Sequence, residues 1–123
     1  MEITDHQDVT VYRVLNENEY LDLVDNLSTN QQKKAYTIIF DSINEETKII
    51  NSFSFSKNGV LEIKSETILD SNEFVIKYIE YNADLEIKYY IIYDNYSNGE
   101  TKFERKYDSN DILIGEEFFE RDI

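Results

Sequence analysis

Two groups of carboxylate and amide side chains near the C-terminus are of the types that bind a metal ion. They lie about thirteen residues apart in the segment 93–117, YDNYSNGETKFERKYDSNDILIGEE. A calcium loop needs Asp or Asn at positions 1, 3 and 5, Gly at position 6 and Glu at position 12. A loop starting at Asp94 has Arg105 at position 12, and one starting at Asp108 has Phe119 there. Because Asn, Asp, Ser and Gly also form tight hairpin turns, we interpret both groups as turns and predict no metal site and no cofactor.

Catalytic side chains are few in this sequence. His6 is the only histidine and there is no cysteine, so the one candidate base lies in an N-terminal segment that we expect to be mobile. The acid pairs Glu45–Glu46 and Glu116–Glu117 are sequence neighbours, whose side chains point to opposite faces of a strand. The three glycines form no phosphate loop. We therefore predict that the protein is not an enzyme, and an enzyme with an unrecognised site is the third alternative.

Net charge is the most informative property of the chain. With 26 acidic and 12 basic side chains, the formal net charge is −14, so the protein would repel the phosphates of a nucleic acid. The first 30 residues contain seven acids and one base. Three of these acids, Glu19, Asp22 and Asp25, are three residues apart in a predicted helix, with no Lys or Arg among them. Like charges at this spacing destabilise a helix by roughly 0.2–0.5 kcal/mol per pair, so the arrangement does not benefit the fold.

An acidic helix face that does not benefit the fold indicates a surface for a basic partner. We predict a non-enzymatic acidic inhibitor that binds and blocks a basic protein such as a nuclease or a nucleic-acid-binding effector. Immunity proteins, nucleic-acid mimics and phage anti-defence proteins of the anti-CRISPR type act in this way. The predicted partner-binding acids lie on the helix and near the C-terminus: Glu19, Asp22, Asp25, Glu116, Glu117 and Glu120. Acidity that only keeps the protein soluble and monomeric explains the charge equally well.

The spacing of turn residues predicts the elements that position these acids. From residue 48 onward, apolar-alternating runs of seven to nine residues are separated by turn residues centred near 58, 71, 83, 97 and 110. Strands joined by such short turns are antiparallel. Alternate apolar residues, among them Phe53, Tyr78 and Ile91, would share one buried face. The sequence therefore predicts an α+β fold, with a curved antiparallel β-meander of about seven to eight strands.

One amphipathic helix is predicted near the N-terminus, in the segment LNENEYLDLVDNLST at 15–29. Asn16 and Glu19 have the spacing of a capping box, and Leu15 and Tyr20 have that of a hydrophobic staple. Apolar residues at helical spacing form one face: Tyr20, Leu23, Val24 and Leu27. The two central strands of the meander are apolar on both faces, so we expect the helix to cover their second face.

A chain of 123 residues has the size of one domain, so residues 1–123 are predicted to fold as a single unit. The absence of cysteine, of a signal peptide and of a membrane-length apolar run predicts a cytoplasmic protein without a membrane partner. A sheet that curls around the helix would favour an alternative function. In that case a small apolar ligand would bind in a barrel-like cavity lined by Tyr81, Tyr90 and Ile92.

Overall fold

The computed structural model describes residues 1–120 and shows an α+β fold, which confirms the predicted class. The elements in chain order are β1 (Glu2–Asp5), β2 (Val9–Arg13), α1 (Glu17–Ser28), β3 (Ala35–Asn44), β4 (Thr47–Phe55), β5 (Leu61–Leu69), β6 (Val75–Tyr81), β7 (Ile87–Asn95), β8 (Thr101–Asp108) and β9 (Leu113–Phe118). The strands form one curved sheet in the order of the sequence, from β1 at one edge to β9 at the other. All neighbouring strands are antiparallel except β2 and β3.

The sheet has nine strands, one more than the seven to eight predicted. The strand that no hydrophobic pattern predicts is β1. The segment expected to be mobile instead pairs antiparallel with β2 over residues Glu2–Asp5, all of them exposed. Lys34 fixes its end, because its Nζ donates a hydrogen bond to the carbonyl oxygen of His6 at 2.7 Å and forms an ion pair with Asp5. An edge strand of this kind depends on backbone pairing rather than on burial, so a polar sequence is sufficient for it.

Helix α1 connects the one parallel pair of strands. Val9 lies opposite Ala35 and Arg13 opposite Ile39, so β2 and β3 run in the same direction. Parallel strands need a long crossover connection, and α1 provides it. The helix consequently packs beside β3 instead of over the central strands of the meander, where we expected it. We call the side of the sheet that α1 contacts the helix face, and the opposite side the far face.

The start of α1 follows the predicted capping arrangement. Asn16 is the N-cap, and its side-chain oxygen accepts a hydrogen bond from the N–H of Glu19 at 3.0 Å. In return, Glu19 Oε2 accepts one from the N–H of Leu15 at 3.1 Å, one residue earlier than in a standard capping box. The predicted staple is wrong, because Leu15 is 77% exposed and the Tyr20 ring instead packs 4.4 Å from the Phe53 ring.

The core lies between α1 and the N-terminal half of the sheet. The buried cluster consists of Val14, Tyr36, Ile38, Phe40 and Phe55. The predicted apolar face of the helix packs against this cluster, which confirms its assignment: Tyr20, Leu23, Val24 and Leu27. In the described part of β6–β9 and its turns no residue is buried to a comparable degree. That half of the sheet is therefore a single layer, with both faces largely accessible.

Five hairpin turns in the second half of the chain share one hydrogen-bonding pattern. In each turn the N–H of the first residue donates to the carbonyl of the fifth, and the N–H of the fourth donates to the carbonyl of the first. The first residues of the five turns are Ser56, Asp70, Asn82, Tyr96 and Asp108. The pattern confirms that these segments are turns, and their starts alternate between spacings of 14 and 12 residues.

A register shift just before each turn divides the apolar residues between the two faces of the sheet. Phe53 lies opposite Lys64, and Lys64 opposite Tyr81, all on the helix face. Tyr78 lies opposite Ile91 on the far face. The prediction that Phe53, Tyr78 and Ile91 share one buried face is therefore wrong. A bulge exchanges the faces of the residues that follow it, and alternation along the sequence does not reveal where this happens.

The fourth residue of each turn has a positive φ, and this leads to a prediction about Leu85. Glycine occupies this position in two turns, at Gly59 and Gly99, but Leu85 adopts it with φ of 63°. A left-handed conformation costs a non-glycine residue about 1–2 kcal/mol. Glycine avoids this strain but loses more conformational entropy on folding, so the substitution recovers only part of the cost. Leu85→Gly should therefore raise the free energy of unfolding by about 0.5–1 kcal/mol, measured by urea denaturation. The matched change Leu113→Gly, at a half-exposed strand residue, should lower it, and equal effects at both sites would contradict the explanation.

Candidate partner-binding surfaces

Several carboxylates of the segment 93–117 are used by the local structure, including those that start or close its turns. Asp108 Oδ1 accepts hydrogen bonds from the N–H groups of Asn110 and Ile112 at 2.8 and 3.0 Å. Asp94 Oδ2 lies 2.9 Å from Arg105 Nη1 in an ion pair across β7 and β8. Within residues 1–120, no group of three or more His, Cys, Asp or Glu side chains is arranged to hold a metal ion. The segment therefore forms turns and strand pairs, as its composition indicates.

The outer face of α1 carries acids that the fold does not use. Asp22 and Asp25 are exposed, and neither has a cation within ion-pair distance in the part of the chain that the structure describes. Leu21 lies on the same outer face and is 54% exposed. Glu17 is exposed one turn before Leu21, as Asp25 is one turn after it. We call Glu17, Leu21, Asp22 and Asp25 together the acidic helix surface.

Glu19, the third predicted helix acid, has a different environment. Its Oε2 accepts the hydrogen bond from the N–H of Leu15, and its Oε1 lies 3.9 Å from the N-terminal amine of Met1. Because these contacts stabilise the start of α1, changing Glu19 would disturb the helix as well as any partner contact. Substitutions at Asp22 and Asp25 therefore test partner recognition without disturbing the start of the helix.

The C-terminal acids lie on and beyond the edge strand β9. Glu116 lies on the helix face opposite Arg105, with 3.7 Å between Glu116 Oε2 and Arg105 Nε. Glu117 lies on the far face, directly opposite Glu104. Glu120 is exposed after the end of the strand. Six strand spacings of about 4.8 Å separate β9 from β3, so these acids are roughly 30 Å from the acidic helix surface. The structure does not bring the two predicted groups together.

The lysines of the sheet are paired mainly with aromatic rings. Cross-strand register, and not the alternation of Lys and Glu along each strand, determines the contacts of these lysines. The distances from Nζ to ring centroid are 5.0 Å for Lys64 and Tyr81, 4.9 Å for Lys77 and Tyr90, 5.8 Å for Lys102 and Tyr96, and 4.0 Å for Lys106 and Tyr89. Within residues 1–120, Glu104 and Glu117 of the sheet consequently have no ion-pair partner.

The polar cluster around Glu80 was not predicted, because two of its members, Lys88 and Tyr89, reach Glu80 from the neighbouring strand. Glu80 Oε1 accepts hydrogen bonds from the hydroxyls of Tyr78 and Tyr89 at 3.0 and 3.2 Å, and its Oε2 lies 3.2 Å from Lys88 Nζ. Burial alone would raise the pKa of Glu80, but hydrogen bonds from Tyr78, Lys88 and Tyr89 lower it below the ordinary value. An ionised carboxylate with three donors joins β6 and β7 and holds no proton to transfer at neutral pH.

The residues proposed to line an apolar ligand cavity lie on an open surface. The hydroxyl of Tyr81 donates to Glu66, and that of Tyr90 donates to Asp111 Oδ1 at 2.7 Å. The hydrogen bond to Asp111 is the main cause that raises the pKa of Tyr90 to about 12. In the described part of the chain β1 and β9 each pair with one neighbour, so the sheet does not close around Tyr81, Tyr90 and Ile92.

Comparison with known proteins adds no functional information. No protein-family model matches the chain, and no curated protein or solved structure shows significant similarity to it. The helix within residues 1–120 is also too short and too polar to cross a membrane. With no similar protein to compare, a function has to be argued from the surfaces of the structure itself, and the two surfaces from which it is argued are the acidic helix surface and the edge strand β9.

Proposed function

We propose that this protein is a non-enzymatic inhibitor that binds a basic protein through the acidic helix surface. The partner is a nuclease or another protein that binds nucleic acid, and the inhibitor covers the cationic site that otherwise contacts phosphate. Immunity proteins and phage anti-defence proteins of the anti-CRISPR type belong to this functional class. The net charge of −14 supports a protein partner, since it opposes direct binding to nucleic acid.

The observation that carries the proposal is the exposed Leu21 with uncompensated acids around it. In a protein interface, apolar side chains supply burial and a surrounding polar rim supplies orientation, and the arrangement around Leu21 is compatible with that pattern. Leu21 is 54% exposed, and Asp22 and Asp25 have no ion-pair partner within residues 1–120.

The position of Asp25 strengthens the local negative potential. Asp25 lies in the last turn of α1, which contains no basic residue. The helix dipole gives this end a partial negative charge, so the carboxylate and the dipole have the same sign there. The combination costs some helix stability but attracts cations, and it would increase the rate of association with a basic surface.

Affinity capture followed by an activity assay tests this proposal. The immobilised chain, incubated with lysate of its source cells at low salt, should retain a basic protein that binds or cleaves nucleic acid. The purified chain should then inhibit that protein in a stoichiometric titration, and Leu21→Ser should weaken the inhibition at least tenfold, because it removes the apolar contact. Capture of a protein whose activity is unaffected by the chain, or equal inhibition by Leu21→Ser, would contradict the proposal.

A further inference from the structure

The edge strand β9 is accessible along its whole length. All six of its residues are exposed, including Leu113, Ile114 and Phe118 at 48%, 54% and 53%. Proteins usually protect a sheet edge with charged side chains, proline, a bulge or a covering segment, since free backbone groups pair readily with another strand. The charges of β9 are the two acids Glu116 and Glu117, which repel an acidic strand but not a basic one. β9 contains neither Lys nor Pro, and in the described part of the chain only β8 pairs with it.

The pairing with β8 determines which backbone groups of β9 point outward. The N–H of Phe119 donates to the carbonyl of Lys102, and the same register continues to Glu117 opposite Glu104. Inward and outward pairs alternate along an antiparallel strand, so the N–H and C=O groups of Glu116 and Phe118 point away from β8. These four groups are in the positions that an added antiparallel or parallel strand would use.

A groove on the far face lies beside this edge and is acidic. It has a volume of about 310 Å³ and is lined by Ile91, Glu104, Lys106, Gly115 and Glu117, together with Glu116, whose side chain lies on the helix face. Gly115 leaves it open, because a Cβ there would meet only Lys106 Cβ, at 3.8 Å. Glu104 and Glu117 face each other across β8 and β9, a like-charge pair that destabilises the sheet. Within residues 1–120, Lys106 forms no ion pair with either acid, because its Nζ lies over the Tyr89 ring at 4.0 Å, and the lining of the groove keeps a net negative charge.

We infer that β9 binds an extended, lysine- or arginine-rich segment of a partner protein by strand addition. The outward backbone groups of Glu116 and Phe118 pair with the added strand, and its cationic side chains enter the groove beside Glu104 and Glu117. A second copy of this chain fits poorly as the occupant. Pairing of two β9 strands would place Glu116 and Glu117 close to the same acids of the other copy.

The inference is independent of the proposed inhibitor function, because the two surfaces are roughly 30 Å apart on the sheet. The change Asp22→Lys with Asp25→Lys should leave strand addition at β9 within about twofold at 150 mM salt, where a charge effect at this distance is screened. Failure of one proposal therefore does not imply failure of the other.

Peptide binding tests the strand addition. The probe is a short blocked peptide in which lysine alternates with threonine, and the control peptide has glutamate in place of lysine. In NMR titrations at 150 mM salt, the lysine peptide should shift the backbone amides of Glu116 and Phe118 most and should slow their hydrogen exchange at least tenfold. The glutamate peptide should bind at least tenfold more weakly, because it repels Glu104 and Glu117.

A pair of changes at Glu116 separates backbone pairing from charge. Glu116→Pro removes an outward N–H that makes no bond within the sheet, whereas Glu116→Thr keeps it, and both remove the carboxylate that pairs with Arg105. The proline variant should lose peptide binding and the threonine variant should retain most of it. Equal binding by both variants, or shifts located away from β9, would overturn the inference. Self-association detected by sedimentation, and abolished by Glu116→Pro, would overturn it in favour of a second copy as the occupant.

Discussion

Replacing Ile38 with alanine should lower the free energy of unfolding by about 3–4 kcal/mol, a large share of the stability of a small domain. Ile38 is 0% exposed and lies at the centre of the buried cluster on β3. The side chains beside it cannot easily fill the resulting cavity. Tyr36 is stacked on Phe55 with ring centroids 5.0 Å apart, and Phe40 on Phe53 at 5.9 Å. Urea denaturation followed by circular dichroism measures the change.

The matched control is Ile43→Ala, the same chemical change on the same strand. Ile43 is 81% exposed, so its truncation removes little buried area and should alter the free energy of unfolding by less than about 0.5 kcal/mol. Similar losses at Ile38 and Ile43 would show that the core does not lie between α1 and β3. A cost at Ile38 below about 1 kcal/mol would lead to the same conclusion.

Reversing the charge of the two free helix acids should weaken partner binding by about 3 kcal/mol, roughly a hundredfold in the dissociation constant. The variant combines Asp22→Lys and Asp25→Lys and changes the formal net charge from −14 to −10. Both side chains are exposed and lack ion-pair partners in the described part of the chain, so the fold loses no contact. Lysine at position 25 also suits the negative end of the helix dipole, so the melting temperature should not fall.

The control for this variant carries the same change of net charge at another place. Asp84 and Glu86 are exposed acids of the turn between β6 and β7. Asp84→Lys combined with Glu86→Lys should weaken partner binding less than about fivefold. These changes act on the acidic helix surface only through the long-range electrostatic field of the protein, which salt screens. Titration of the partner with all three proteins measures the dissociation constants. Equal weakening by both variants would show that net charge, rather than the acidic helix surface, determines binding.

The parts of the fold that could be predicted from the sequence depend on contacts between near neighbours in the chain. Asn16 and Glu19 are three residues apart and form the helix start, and Asp108 bonds to amides within four residues. The parallel pair of β2 and β3 could not be predicted, since α1 and the loop after it separate them along the chain. The division of Phe53 and Tyr78 between faces depends on bulges, which have no clear hydrophobic pattern.

The acidic helix surface could be predicted in part, again because its residues are near neighbours in the chain. The sequence shows that no Lys or Arg stands three or four residues from Asp22 or Asp25, and residues at this spacing are neighbours on a helix. Leu21 is a signal that the sequence does contain: it is an apolar residue that lies off the buried stripe of the helix and is 54% exposed. The partners of sheet residues such as Lys106 could not be predicted, since they follow from register between strands.

The salt dependence of the association rate tests the central claim most directly, because steering by specific charges acts on this rate. The rate should be measured between about 50 and 500 mM salt for the parent and for the combined Asp22→Lys and Asp25→Lys variant, with the partner in both cases. The account predicts that the parent associates fast at low salt and slows steeply as salt rises. The variant should associate slowly throughout, with a much flatter dependence. The same rates and slope for both proteins would contradict recognition through the acidic helix surface.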